Sequence, residues 1–199
     1  MKYMQIKSEI ILASKSKVRK EILEKNNIKC KVIASNIDEE PIKKSLINEG
    51  ASPKIVSKNL AEVKATKVSL SYKNSLVLGA DSVIDLENCI ISKPKNREEA
   101  LEILKKLNGK KHDLISSVTI ARNGSMIWNY TDKATLTMKK MTDNELIKYL
   151  DKISDRALFA YNVYQIEGEG RSLFSEIQGD EDTIMGLPIK KIKEYIFSL

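Results

Sequence analysis

Apolar residues recur along this chain with two periods, which divide it into strands and helices. Ile10-Ile11-Leu12-Ala13 is an unbroken apolar run that reads as a buried strand, turning directly into a helix through Ser14-Lys15-Ser16-Lys17-Val18-Arg19. Asn26-Asn27 supplies a helix stop, and residues 28–33 alternate as a half-exposed strand. Residues 35–41 read as an acidic loop. Ser52-Pro53 is a helix start, with Ser at the cap and Pro at the first helical position, and Val56, Leu60, Val63 and Ala65 give that helix its apolar face. Residues 76–85 read as a second buried strand, and Leu86-Glu87-Asn88-Cys89 as a hairpin turn leading into Ile90-Ile91. Asn96 and Glu99 form a capping-box-like pair for a helix carrying Ala100, Ile103, Leu104 and Leu107. From Lys111 the period becomes two: strands over 114–120 and 126–128 flank an Asn123-Gly124 turn, and a third strand is expected near 134–138. Thr142 and Glu145 make a capping box for a helix with Leu146, Ile147 and Leu150, and Pro188 opens a last helix with Ile189, Ile192 and Ile196 on one side.

The length of 199 residues suits one domain (1–199) with a single substantial core. Hydrophobic content of 42% and charged content of 31% are those of a soluble globular protein, and no apolar run approaches the ~20 residues of a membrane span. Met1 to Lys7 has no apolar leader core, so a cytoplasmic location is expected. Cys30 and Cys89 stand alone, which fits reduced structural thiols. The net charge of +7 is concentrated at the start, where residues 1–31 hold nine Lys or Arg against three Glu. Such a patch attracts nucleotides or nucleic acid, but an aromatic content of 6% and the absence of RNP, KH or zinc-finger signatures argue against general nucleic-acid binding.

The seam at residues 14–20 is chemically odd. Ser14 or Ser16 can cap the helix, yet Lys15, Lys17, Arg19 and Lys20 surround its first turn, cations set against the positive end of the macrodipole. A docked anion, held by backbone N–H groups, serine hydroxyls and Arg19, resolves the mismatch; a solvated lysine-rich turn is the alternative. Asp81 stands among apolar residues and must be paired, liganded or protonated, unless the strand ends at Gly79 and leaves it in a turn. Asp38-Glu39-Glu40 offers hard oxygens to Mg²⁺, or is simply solvated. His112, the sole histidine, suits a structural hydrogen bond better than catalysis, and neither a dinucleotide fingerprint nor a Walker-type loop occurs.

In order, Ala13-Ser14-Lys15-Ser16-Lys17-Val18-Arg19, Asp38-Glu39, Leu60-Ala61-Glu62-Val63-Lys64-Ala65, Gly79-Ala80-Asp81, Lys93-Pro94 and Gly186-Leu187-Pro188 resemble the motifs of the Maf family of nucleoside triphosphate pyrophosphatases. The resemblance implies an α/β fold with an elongated mixed β-sheet, flanking helices and two lobes around a cleft, shared with inosine triphosphatase-like enzymes. It also implies hydrolysis of a nucleoside triphosphate to the monophosphate and pyrophosphate with Mg²⁺ or Mn²⁺, and a homodimer. Phosphate handling then falls on Ser14, Arg19, Lys64 and Lys93, and proton acceptance or metal ligation on Asp81, with Glu39 a second metal ligand. A non-catalytic nucleotide-binding regulator of septum formation is the rival reading. Val18, Ser82 and Glu167 occupy positions the family associates with base choice, and Glu167 resembles a branch that hydrolyses 7-methyl-GTP. An ionised Glu167 only accepts hydrogen bonds, so it suits the N1–H and N2–H₂ edge of guanine over uracil or thymine, unless it merely caps its loop.

Overall fold

A mixed seven-stranded sheet carries the chain in the computed structural model, which describes residues 10–155, 157–158 and 162–199. The strands are β1 (Ile10–Leu12), β2 (Cys30–Val32), β3 (Val77–Leu86), β4 (Cys89–Ile91), β5 (Lys111–Arg122), β6 (Ser125–Met138) and β7 (Phe174–Gln178). They lie in the order β2-β1-β3-β5-β6-β7, with β4 also paired to β3. The β2-β1-β3 portion is parallel and the rest antiparallel. Helices are α1 (Lys17–Lys25), α2 (Glu39–Asn48), α3 (Pro53–Ser71), α4 (Arg97–Leu107), α5 (Asp143–Asp151), α6 (Glu181–Ile184) and α7 (Ile189–Phe197), with a 3₁₀ turn at Glu169–Leu173.

Two large cores share this sheet. At one end Leu12, Leu78 and Ile120 of the strands meet Ile22 and Leu23 of α1 and Ile192 and Ile196 of α7. At the other, Ile84, Leu114 and Leu136 meet Leu104 and Leu107 of α4 and Leu146 and Leu150 of α5. Each fully buried leucine contributes about 1.5–3 kcal/mol, and together these fix the two lobes that the family resemblance implied. On the opposite face α3 lies against β3 with almost no space between. A Cβ at Gly79 would stand 2.3 Å from the Ala61 carbonyl oxygen and 2.7 Å from the Ala65 nitrogen, so only glycine permits the contact.

Most element expectations hold. Ser16, Ser52, Asn96 and Thr142 are the N-caps, each accepting from a backbone N–H three residues on, and Thr142 with Glu145 completes a capping box. Glu87-Asn88 and Asn123-Gly124 turn with positive φ, as two-residue hairpins require. Three readings are corrected. The acidic stretch 35–41 is a loop only to Asp38, because Glu39 and Glu40 form the first turn of α2. Residues 126–128 and 134–138 belong to one 14-residue strand. Ile147 is 42% exposed, and Tyr149 is buried in its place. The leader reading rests on Met1 to Lys7, outside the described residues.

Candidate active site

A gap in the sheet makes the site. β1 pairs with β3 only at Val77 and Leu78, and β4 rejoins the same edge at Ile84, so Gly79 to Val83 present an edge without a strand beside them. Such a break beyond the end of a parallel strand is where open α/β sheets bind ligands. Here a cleft of about 1070 Å³ opens, and Ser14, Val18, Arg19, Glu39, Lys64, Asp81, Ser82, Lys93 and Glu167 all line it.

Asp81 sits on its floor. The strand does not end at Gly79 but runs through to Leu86, so the carboxylate is held in regular β structure and is 7% exposed. The close approach of α3 at Gly79 brings two groups onto it: Ser57 Oγ donates to the Asp81 carbonyl (3.1 Å), and Lys64 Nζ donates to Asp81 Oδ1 (2.7 Å). Lys64 also pairs with Glu39 Oε2 at 2.8 Å, so one buried ammonium bridges two carboxylates. Asp81 Oδ2 is buried and has no hydrogen-bond partner among the described residues. Burial pushes the Asp81 carboxyl above the usual range, and Lys64, then Arg19, opposes the rise.

Arg19 is tied into the fold more fully than a phosphate clamp requires. Its Nε donates to the Gly186 carbonyl (2.9 Å), Nη1 to the Ala80 carbonyl (2.9 Å) and to Ser14 Oγ (3.2 Å), and Nη2 to Ser82 Oγ (3.1 Å). It thereby satisfies one of the carbonyls on the open β3 edge. Gly186 is at φ +93°, and a Cβ there would stand 2.9 Å from Ser82 Oγ, so the glycine keeps this junction closed. The hydroxyls behind it have a fixed direction. Ser116 donates its one proton to the Thr183 carbonyl (2.7 Å), so in its 2.8 Å contact with Ser82 it accepts. Ser14 Oγ, already accepting from Arg19 and from Ser16 N–H (3.2 Å), keeps its own proton for a ligand.

Lys93 follows β4 at the cleft wall. Burial lowers its pKa, the cation of Arg19 lowers it further, and Glu39 and Asp81 raise it, which places it in the same electrostatic group. Val18 lines the cleft from the α1 side but belongs to the core with Ile22 and Leu187. Glu167 is exposed and accepts from Gln165 Nε2 (2.9 Å), on a loop whose Tyr164 hydroxyl meets buried His112 Nε2 at 2.9 Å. His112 is thus a structural histidine of the second lobe. Sequence reasoning missed Ser57, Ser116 and Thr183, which carry no motif, and Lys43, whose place at helical spacing from Glu39 is visible only once α2 is known.

The motifs that converge here match a family model described as Maf-like protein over residues 9–199. The chain belongs to the Maf family. A nucleoside triphosphate pyrophosphatase from Pelagibacter ubique (strain HTCC1062) is 70% identical over 188 residues, 94% of this chain and 96% of that protein. A 7-methyl-GTP pyrophosphatase from Rhizobium meliloti (strain 1021) is 36% identical, covering 92% of each chain. The structure of the Staphylococcus aureus Ham1 protein aligns over 68% of this chain and 73% of its own with a TM-score of 0.38 and 18% identity, too slight a likeness to argue from. The serine, arginine, lysines and aspartate carried by the Maf motifs of this chain are neighbours around one cleft.

Glu39 and Asp81 are the residues that could hold a divalent cation. Both present hard oxygens, and Asp81 Oδ2 is a buried acceptor without a donor. Among the described residues no three His, Cys, Asp or Glu side chains gather as a metal site. An ion held by these two carboxylates would complete its shell with water and phosphate oxygens, the habit of Mg²⁺ rather than of zinc.

Proposed function

We propose that this Maf protein hydrolyses a nucleoside triphosphate between its α- and β-phosphates, releasing the monophosphate and pyrophosphate. The observation that carries the reading is Asp81: a buried carboxylate with one oxygen bonded by Lys64 and the other unpartnered, on the floor of a cleft ringed by Ser14, Arg19, Lys64 and Lys93. The 70% identical relative named for this activity supports it. Water attacks the α-phosphorus, its proton passes to the Asp81 carboxylate, and the bond from that phosphorus to the bridging oxygen breaks, with pyrophosphate taking the electron pair. Lys64 and Lys93 offset the charge that develops on the leaving group, and the Ser14 hydroxyl donates to a phosphate oxygen. Bound Mg²⁺ or Mn²⁺ would supply further charge neutralisation and a more acidic water. Glu167 favours a guanine-type or positively charged modified purine, since a carboxylate repels the carbonyl oxygens of uracil or thymine.

The test is release of pyrophosphate from a panel of GTP, 7-methyl-GTP, dTTP and UTP, with Mg²⁺, with Mn²⁺ and with a chelator. Turnover of at least one, dependent on the ion, is expected. Tight binding of nucleotide with no turnover of any would overturn the reading in favour of a non-catalytic regulator.

A further inference from the structure

We infer that α2 is a strap across the mouth of the cleft and that Lys43, which it carries, is a further phosphate-binding residue that engages the outer phosphates of the substrate. The inference rests on the triphosphate reading of the site. Its starting point is that α2, ten residues long, buries none of them. A helix gains most of its stability in a protein from packing an apolar face, and this one offers only Ile42 and Leu46, both half-buried, on the face that also carries Glu39 and Lys43. Polar contacts hold its N-terminal half: Glu39 reaches Lys64 at 2.8 Å on the α3 side, and Lys43 Nζ donates to Ser92 Oγ at 2.8 Å on the wall beyond β4. Glu39 and Lys43 are four apart and share one helical face, so the face that bridges the cleft is the one carrying both.

As a strut the Lys43 contact is poor. It orders a long, rotamer-rich side chain, at an entropic cost, for one bond to a neutral hydroxyl at an exposed site. Among the described residues Lys43 has no carboxylate within ion-pair distance, whereas Lys64 is shared by two. Arg19 spends four bonds on the protein. The cations at the cleft floor share their charge with protein acceptors, so the charge of the β- and γ-phosphates calls for a further cation at the mouth. Ser92 immediately precedes Lys93, so an ammonium parked on Ser92 lies beside a residue already assigned to phosphate. Exchanging a neutral hydroxyl for a phosphate oxygen converts a weak contact into a charge-assisted one, and it draws α2 over the substrate.

The test compares wild type, Lys43→Met and Lys43→Arg for binding of inorganic pyrophosphate and of GMP in Mg²⁺, together with kcat and KM for the best triphosphate. Lys43→Met is expected to weaken pyrophosphate about 10-fold or more and to raise KM, to leave GMP within about 2-fold, and to keep the wild-type Tm; Lys43→Arg retains most of the affinity. In wild type, pyrophosphate slows hydrogen exchange of the Glu39–Asn48 amides, and in Lys43→Met it does so less. Pyrophosphate affinity unchanged in Lys43→Met, or equal losses for pyrophosphate and GMP, overturns the strap while leaving the hydrolase reading in place. A wild-type protein that neither binds pyrophosphate nor turns over any triphosphate overturns both.

Discussion

Replacing Asp81 by Asn separates what the carboxylate does for the reaction from what it does for the fold. The substitution keeps the volume and removes the charge. On the stability side, the amide oxygen of Asn can still accept from Lys64, which loses the opposite charge there but keeps Glu39 at 2.8 Å, so no ammonium is left buried without a partner. The desolvation of the carboxylate, which outweighs Lys64 in setting its raised pKa, disappears as well. The two effects oppose, and Asp81→Asn should change stability by no more than about 1 kcal/mol. Lys64→Met is the opposite case. It strands Asp81, whose other oxygen already lacks a donor, and should cost about 3 kcal/mol, a drop of roughly 6–12 °C in Tm for a chain of this size. On the activity side, Asp81→Asn should lower kcat by ~10² or more, the scale of a lost proton acceptor. Because its carboxyl titrates above the ordinary carboxylate range, the acid limb of the wild-type kcat/KM profile should lie above that range too and vanish from any residual activity of Asp81→Asn. Pyrophosphate release and thermal melts on the three proteins measure both sides. Wild-type kcat in Asp81→Asn removes the residue from the mechanism, and a Tm loss equal to that of Lys64→Met refutes the account of the buried bridge.

Glu167→Gln should shift kcat/KM from guanine-type substrates toward dTTP and UTP; a wild-type preference for dTTP or UTP, unmoved by the change, sinks the assignment. Gly79→Ala should force α3 off β3, since the added carbon would stand 2.3 Å from the Ala61 carbonyl, and the expected result is a loss of several kcal/mol in urea unfolding together with activity; a variant of wild-type stability would show that helix to be mobile there. His112, 2% exposed, has its pKa lowered by burial to about 4 against 6.5 when unfolded. The unfolded chain binds the extra proton, so stability rises with pH through this window and about 3 kcal/mol is lost as pH falls from 6.5 to 4. Urea titrations across that range should show the slope in wild type and a flatter one in His112→Phe.

The sequence makes the open edge of β3 legible wherever a residue type clashes with its surroundings. Cations at the N-terminus of α1 and an acid in an apolar run both marked the cleft through residue type and position alone. What stayed hidden follows from burial. α2 buries no residue fully, and its apolar stripe is only the half-buried pair Ile42 and Leu46, too short to mark a helix behind the charged residues of its first turn. β6 reads as two strands because its outer half, from Ser125 to Lys133, is exposed or half-buried, and the alternation becomes strict only where Ala134, Leu136 and Met138 enter the core. Three of the four bonds of Arg19 lie beyond sequence reading, since their acceptors at residues 80, 82 and 186 are brought together only by the fold of the chain.

The long hairpin of β5 and β6 bears on how the cleft can work. These two strands, twelve and fourteen residues long, pass unbroken from the core under α1 and α7 to the core under α4 and α5. A clamshell needs a flexible waist, and here the waist is a doubly hydrogen-bonded beam, with β3 paired to β5 along nine successive positions. Bending it would break ladder bonds in the middle of the sheet. Opening the jaws would therefore cost ladder bonds, whereas the parts mounted on the rim, α2 and the loop of Glu167 among them, can shift without touching the beam, like fittings changed on a vise.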